Sequence, residues 1–130
     1  MLESMNQDLA DISVVNEVDE IANSVSIKLG DENVKLIANF ANISNIQKAT
    51  GKGEVAIIMQ FSRADFSIVD IATIIYHAIE EKDGRGFTID SIGNAVISSK
   101  KYAEYAAAVV GFLGLMMDDN KKPGKPVKTP

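Results

Sequence analysis

Only one side chain has the type and setting to suggest acid–base or metal chemistry. His77 is the single histidine of the chain, and Asp70 and Thr73 precede it by seven and four residues. In a helix this spacing lines the three side chains up on one stripe. A metal site would need further ligands, and none is spaced for it. We therefore expect His77 to be structural or to face solvent, and we predict no catalytic residue, no metal site and no cofactor.

Two glycine-containing turns have only a superficial likeness to ligand-binding loops. Gly51-Lys52-Gly53 lacks the G-x-x-x-x-G-K-[ST] spacing of a phosphate loop, and Gly51 stands where a helix often ends in the left-handed conformation. The Asp-Gly-Arg-Gly sequence at 83–86 is much shorter than a calcium loop of about 12 residues. Both segments are expected to be simple turns.

Composition predicts one globular domain. The 130 residues are 46% apolar and include no cysteine, which excludes disulfides and thiol chemistry. The longest apolar run, residues 105–117, has 13 residues and is too short to span a bilayer. We therefore expect no membrane-spanning segment.

Charge is unevenly distributed along the chain. The formal net charge is −5; residues 1–37 carry eight acidic side chains against two lysines, and residues 118–130 carry four lysines against two aspartates. Nucleic-acid binding needs Lys or Arg to displace counterions from the phosphates. An acidic front without a basic face therefore predicts no nucleic-acid partner, and it also discourages binding to an anionic membrane.

The chain is organised around residues 67–81. Ser67 and Asp70 have the S-x-x-D spacing of a helix start, where each side chain can satisfy a free backbone N–H. Asp70, Thr73, His77 and Glu80 fall on one polar stripe, and nearly every other residue of the segment is apolar. This pattern predicts the central helix of a small helical domain.

A β-hairpin is predicted before the helices. Val25, Ile27 and Leu29 alternate with polar residues, turn chemistry follows at residues 30–33, and residues 34–37 complete the hairpin. Upstream, residues 12–15 could form a short strand.

The other helices follow from three- and four-residue apolar spacing. Phe40, Ile43 and Ile46 define an apolar face in the helix predicted at 39–50. Thr88 or Asp90 can cap the helix predicted at 89–98. The segment 54–61 is predicted to be a helix, but it contains enough β-branched side chains that a strand stays possible. The predicted ranges are 39–50, 54–61, 89–98 and 100–117. The fold class is therefore mainly α, with about five helices and a small N-terminal β-hairpin in a single compact domain.

Three regions follow from these patterns. Residues 1–23 form an acidic, partly flexible segment, residues 24–117 form the helical domain with its leading hairpin, and residues 118–130 form a disordered tail with four lysines and all three prolines.

The last helix is the most informative segment about partners. Its small residues make a ridge along which another helix could approach closely, while its other sides are apolar. Either this helix is threaded through the core, or one face meets another subunit. The candidate oligomer or partner interface comprises Ala103, Ala107, Gly111, Phe112, Gly114, Leu115 and Met116.

The order of these elements is similar to that of a known family. The likeness covers residues 24–117 and rests on Asn39–Gly51 (NFANISNIQKATG), Ser67–Ile79 and Ala106–Met117, which ends in FLGLMM. In these features the chain resembles the tail assembly chaperones of long-tailed bacteriophages and the related gene-transfer-agent tail proteins.

The resemblance implies a helical, non-enzymatic protein of the host cytoplasm. Such a chaperone binds the tape measure protein, keeps it soluble, promotes assembly of tail-tube protein around it, self-associates, and is absent from the mature virion. The family also makes a longer form by ribosomal frameshifting, for which residues 118–130 would be a tolerant fusion point. The alternatives are a structural virion subunit, such as a tail-tube or head–tail joining protein, and a small ligand-binding or regulatory domain.

Overall fold

A computed structural model of the chain describes residues 14–80 and 86–115. Within these two ranges, three strands precede five helices, and 58% of the residues are helical. The mainly α fold with an N-terminal hairpin is thus confirmed. The elements are β1 (Val15–Asp19), β2 (Ser24–Leu29), β3 (Glu32–Ile37), α1 (Phe40–Thr50), α2 (Glu54–Ser62), α3 (Ile68–Ala78), α4 (Ile89–Ser99) and α5 (Tyr102–Leu115).

The hairpin is tighter than the sequence indicates. Leu29 pairs with Glu32, so only Gly30 and Asp31 form the turn, and Glu32 already belongs to β3. Gly30 has a φ of 67°, which suits the first position of a two-residue hairpin turn and costs glycine no steric strain.

The sheet also contains a strand inside the segment predicted to be acidic and flexible. β1 pairs antiparallel with β2 as an edge strand, with an irregularity between Val15 and Glu17. The strand expected at 12–15 therefore starts at its last residue, and residues 12 and 13 lie outside the described ranges. Most of β1 is exposed, so apolar alternation does not reveal it, and the folded domain begins before residue 24.

Helix boundaries follow the local signals in the sequence. Ser67 Oγ accepts from the Asp70 backbone N–H at 3.1 Å, and Asp70 Oδ2 accepts from the Ser67 N–H at 3.0 Å, which closes a capping box. Thr88, rather than Asp90, caps α4. Gly51 ends α1 with a φ of 74°, and the segment after it is helix rather than strand.

Helix α3 lies at the centre of the fold, as its composition predicts. It contacts α1, α4, α5 and β3, and it buries Ile71, Ala72, Ile74, Ile75 and Ala78. The inner face of the sheet closes the other side of the core. Its buried residues are Val25, Ile27, Leu29, Val34 and Leu36.

The central helix ends at Ala78, three residues earlier than predicted. Ile79 forms an antiparallel bridge with Leu36, and the Glu80 N–H donates to the Lys35 carbonyl at 2.8 Å. The chain therefore leaves the helix to cover the outer edge of β3. This partner lies more than 40 residues earlier in the sequence, so local spacing could not indicate it.

Phe40 is not on the buried face of α1, contrary to the prediction. Its side chain is 81% exposed, whereas Ile43 and Ile46 are buried. Each three-residue step falls short of a full helical turn by about 60°, so Phe40 lies about 120° around the helix from Ile46. The three-residue spacing therefore leaves Ile43 and Ile46 on the buried face and turns Phe40 away from the core.

No helix among the described residues is long and apolar enough to cross a membrane.

Candidate interaction surfaces

The predicted interface residues of α5 fall on two sides of the helix. Ala103, Ala107 and Gly111 are exposed, and Gly114 is half-buried. Phe112 and Leu115 instead lie in the core, which removes them from the accessible surface of the folded chain. Met116 lies outside the described residues.

Helix α5 buries most of its large side chains in the core, and its exposed residues include a small-residue stripe, which we define as Ala103, Ala107, Gly111 and Gly114. Opposite the stripe, the Tyr105 hydroxyl donates to the Lys28 carbonyl at 2.6 Å, and burial raises the pKa of that hydroxyl. A methyl group placed on the α-carbon of either glycine would meet no other described element within 4 Å. The helix therefore passes through the core and still presents one open face, and contact of that face with another subunit stays a prediction.

A second surface, which sequence analysis missed, lies between α3 and α4. Val69 is 67% exposed and Ile97 is 58% exposed, although both are large and apolar. They stand on either side of a cavity of about 380 Å³. We call this the α3–α4 groove; it is lined by Ile68, Val69, Ala72, Ile89, Asp90, Gly93, Asn94 and Ile97.

Small residues let the two helices approach at the floor of the groove. A methyl group on Gly93 would lie 3.8 Å from Ala72 Cβ and 3.8 Å from Ile68 Cγ2. The groove continues towards the half-exposed Tyr76, where a smaller cavity also contacts Asp90. Val69 and Tyr76 are two helical turns apart, about 10 Å along the axis. These dimensions suit a short amphipathic helix that presents apolar residues every three or four positions.

The predicted polar stripe of α3 is not its solvent face. Asp70, Thr73 and His77 are all half-buried, while Val69 and Tyr76 are the exposed residues. Asp70 points into local contacts, since its Oδ2 also accepts from Gln60 Nε2 at 3.1 Å. The polar side chains of this helix are therefore partly covered by the rest of the fold. The apolar Val69 and the aromatic Tyr76 are the side chains exposed to solvent or to a partner.

The third surface is a cavity of about 720 Å³ beside His77, lined by both polar and apolar residues. Asn42, which lines it, donates its side-chain amide to the Ile37 carbonyl at 2.9 Å and the Ala78 carbonyl at 3.3 Å. Tyr76 packs edge-on against His77 at 5.0 Å between ring centroids, and burial lowers the pKa of His77. In residues 14–80 and 86–115, no three His, Cys, Asp or Glu side chains cluster as metal ligands would. The two hydrogen bonds of Asn42 connect α1 to the end of β3 and to the end of α3, which is a structural role.

No protein family, curated protein or solved structure matches this chain.

Proposed function

We propose that this protein is a tail assembly chaperone that binds a tape measure protein, keeps it soluble and promotes tail-tube assembly around it. The proposal starts from the resemblance carried by residues 39–51, 67–79 and 106–117. It includes no enzymatic activity, a location in the host cytoplasm and absence from the mature virion.

The observation that carries the proposal is the large apolar side chains left exposed at the α3–α4 groove. Isolated apolar residues are normal on a protein surface, but an open apolar groove next to exposed aromatic and aliphatic residues marks an interaction surface. At the groove and its continuation these exposed residues are Val69, Tyr76 and Ile97.

The partner that fits the α3–α4 groove is a helical segment with an apolar stripe. Val69 and Ile97 supply apolar walls, and Ala72 and Gly93 leave room between them. A long helical protein that aggregates alone presents many such stripes, and covering them one after another would keep it in solution. Self-association through the small-residue stripe of α5 would array several grooves along such a partner.

The alternative, a structural virion subunit, is less well supported by the architecture. Tail tubes are commonly built from sheets, whereas the described part of this chain is 58% helical and its sheet has three strands. One edge of that sheet, β3, is already covered by the bridge between Leu36 and Ile79. Mass spectrometry of purified virions separates the two classes, because a structural subunit must be present in stoichiometric amounts.

Binding is tested by co-purification with the tape measure protein encoded in the same phage genome. Val69→Asp places a charge in the α3–α4 groove, and Val55→Asp is the matched control because Val55 is 53% exposed on α2, outside the residues that line the groove. We expect the wild type and Val55→Asp to retain the tape measure protein and Val69→Asp to lose it. If the wild type retains none, the proposed function is wrong.

A further inference from the structure

The α3–α4 groove carries a charge at one end. It runs from Val69 and Ile97 towards Tyr76, where it continues into a cavity of about 280 Å³. This cavity is lined by Tyr76, Thr88, Ile89 and Asp90. Among the described residues that line the groove and its continuation, Asp90 is the only charged side chain. A partner that covers the apolar part of the groove therefore meets one negative charge at its Tyr76 end.

The carboxylate of Asp90 is accessible to a partner. Asp90 is exposed in the first turn of α4. The cap of that turn is made by other residues, since Thr88 Oγ1 accepts from the Ser91 N–H at 3.0 Å and Ser91 Oγ accepts from the Thr88 N–H at 2.9 Å. Within residues 14–80 and 86–115, Asp90 makes no hydrogen bond and no ion pair. The helix start is thus capped without this carboxylate.

Tyr76 adds an aromatic ring beside this charge. Its side chain is 41% exposed, and it lines the same cavity as Asp90. The face of an aromatic ring attracts a cation, and a carboxylate pairs with one. Arginine can use both groups, because its planar guanidinium stacks on a ring while its N–H groups donate to a carboxylate. The cavity therefore favours a guanidinium group over a neutral or an acidic side chain.

The spacing along α3 sets where a partner must carry that group. Val69 and Tyr76 are seven residues apart, which is about 10 Å along the helix axis. A second helix lying along the groove covers this distance with about two of its own turns. We propose that the partner is an amphipathic helix whose apolar stripe packs at Val69 and Ile97 and is followed, about two turns away, by an arginine that binds Asp90 and Tyr76. This inference rests on the proposed function, because both assign the groove to a helical partner, and it adds the charge which that partner carries.

Designed helical peptides test the charge preference without the natural partner. A stapled, fluorescent peptide carries two leucines one turn apart and an arginine two turns from the first leucine, and two matched peptides carry glutamine or glutamate in place of the arginine. Fluorescence anisotropy at physiological salt, which screens attraction to the net charge of −5, gives the dissociation constants. We expect the wild type to bind the arginine peptide about fivefold more tightly than the glutamine peptide, and to bind the glutamate peptide most weakly.

Substitutions at Asp90 assign the preference to this residue. Asp90→Asn should bind the arginine and glutamine peptides equally, and Asp90→Lys should bind the glutamate peptide more tightly than the arginine peptide. A reversed preference cannot come from a variant that fails to fold. Glu17→Gln is the matched control, because it removes one negative charge from an exposed position on β1, outside the groove, and should keep the preference for arginine.

Three results would overturn the inference: equal binding of the three peptides by the wild type, no binding of any of them, or an arginine preference that survives Asp90→Asn. Each would leave the chaperone function to be decided by co-purification with the tape measure protein. A wild type that prefers the arginine peptide but retains no tape measure protein would support the cation site and contradict the proposed function.

Discussion

Gly93 of α4 lies against Ala72 of α3, with 3.8 Å between the Ala72 Cβ and the place where a Cβ would stand on Gly93. That distance is an ordinary van der Waals contact, so alanine fits at position 93 without displacing α3. Glycine inside a helix costs about 0.8–1 kcal/mol relative to alanine. We expect Gly93→Ala to raise the free energy of unfolding in urea by about 0.5–1 kcal/mol. A decrease would mean that the two helices pack more tightly than described.

The capping box of α3 gives a second prediction. Ser67→Ala removes the acceptor of the Asp70 N–H and should lower the free energy of unfolding by about 1 kcal/mol. Ser98→Ala, on the exposed face of α4, is the control and should change stability little, since alanine favours a helix. Equal effects at the two positions would contradict the assigned cap.

The small-residue stripe of α5 gives a third prediction. Gly111 faces open space, so Gly111→Leu should leave the fold intact. If chains associate through the stripe, the added bulk keeps the helices apart, and light scattering should show a smaller species than for the wild type. Ser98→Leu adds the same side chain on α4 and should leave association unchanged. A wild type that stays monomeric at high concentration, or a Gly111→Leu variant that loses only thermal stability, would show that the stripe is not an interface.

His77 gives a fourth prediction, which concerns pH. Burial lowers the pKa of this histidine in the folded chain below its ordinary value of 6.5. Above pH 6.5 the ring is neutral in both states and its contribution to stability is fully present. As pH falls through 6.5 towards the lower folded pKa, the unfolded chain gains the proton first and stability is lost. His77→Gln should flatten this part of the pH profile, and an NMR titration that places the pKa above 6.5 would contradict the assignment.

Local signals in the sequence predicted much of the fold. The cap at Ser67 and the left-handed end of α1 at Gly51 depend on residues within one turn of each other, so spacing alone predicted them, whereas for α4 it left Thr88 and Asp90 as alternatives. The bridge between Ile79 and Leu36 joins distant segments, and the mostly exposed β1 has no apolar alternation. Neither could be found from local patterns.

The surfaces were harder to predict than the elements. The stripe of α5 follows from one helix, so the exposed positions of Ala103, Ala107 and Gly111 agree with their spacing. The α3–α4 groove depends on how two helices are aligned, and Val69 and Ile97 each look like core residues in their own helix. Only the packing of α3 against α4 in the folded chain shows that both side chains lie outside the core.

Solubility of the tape measure protein tests the central claim most directly. Alone in a bacterial host, that protein should be insoluble; with this chain co-expressed, most of it should be found in the soluble fraction and purify with the chain. Val69→Asp should abolish the effect, and Val55→Asp, exposed on α2, should retain it. An insoluble tape measure protein despite abundant folded wild-type chain would contradict the chaperone function.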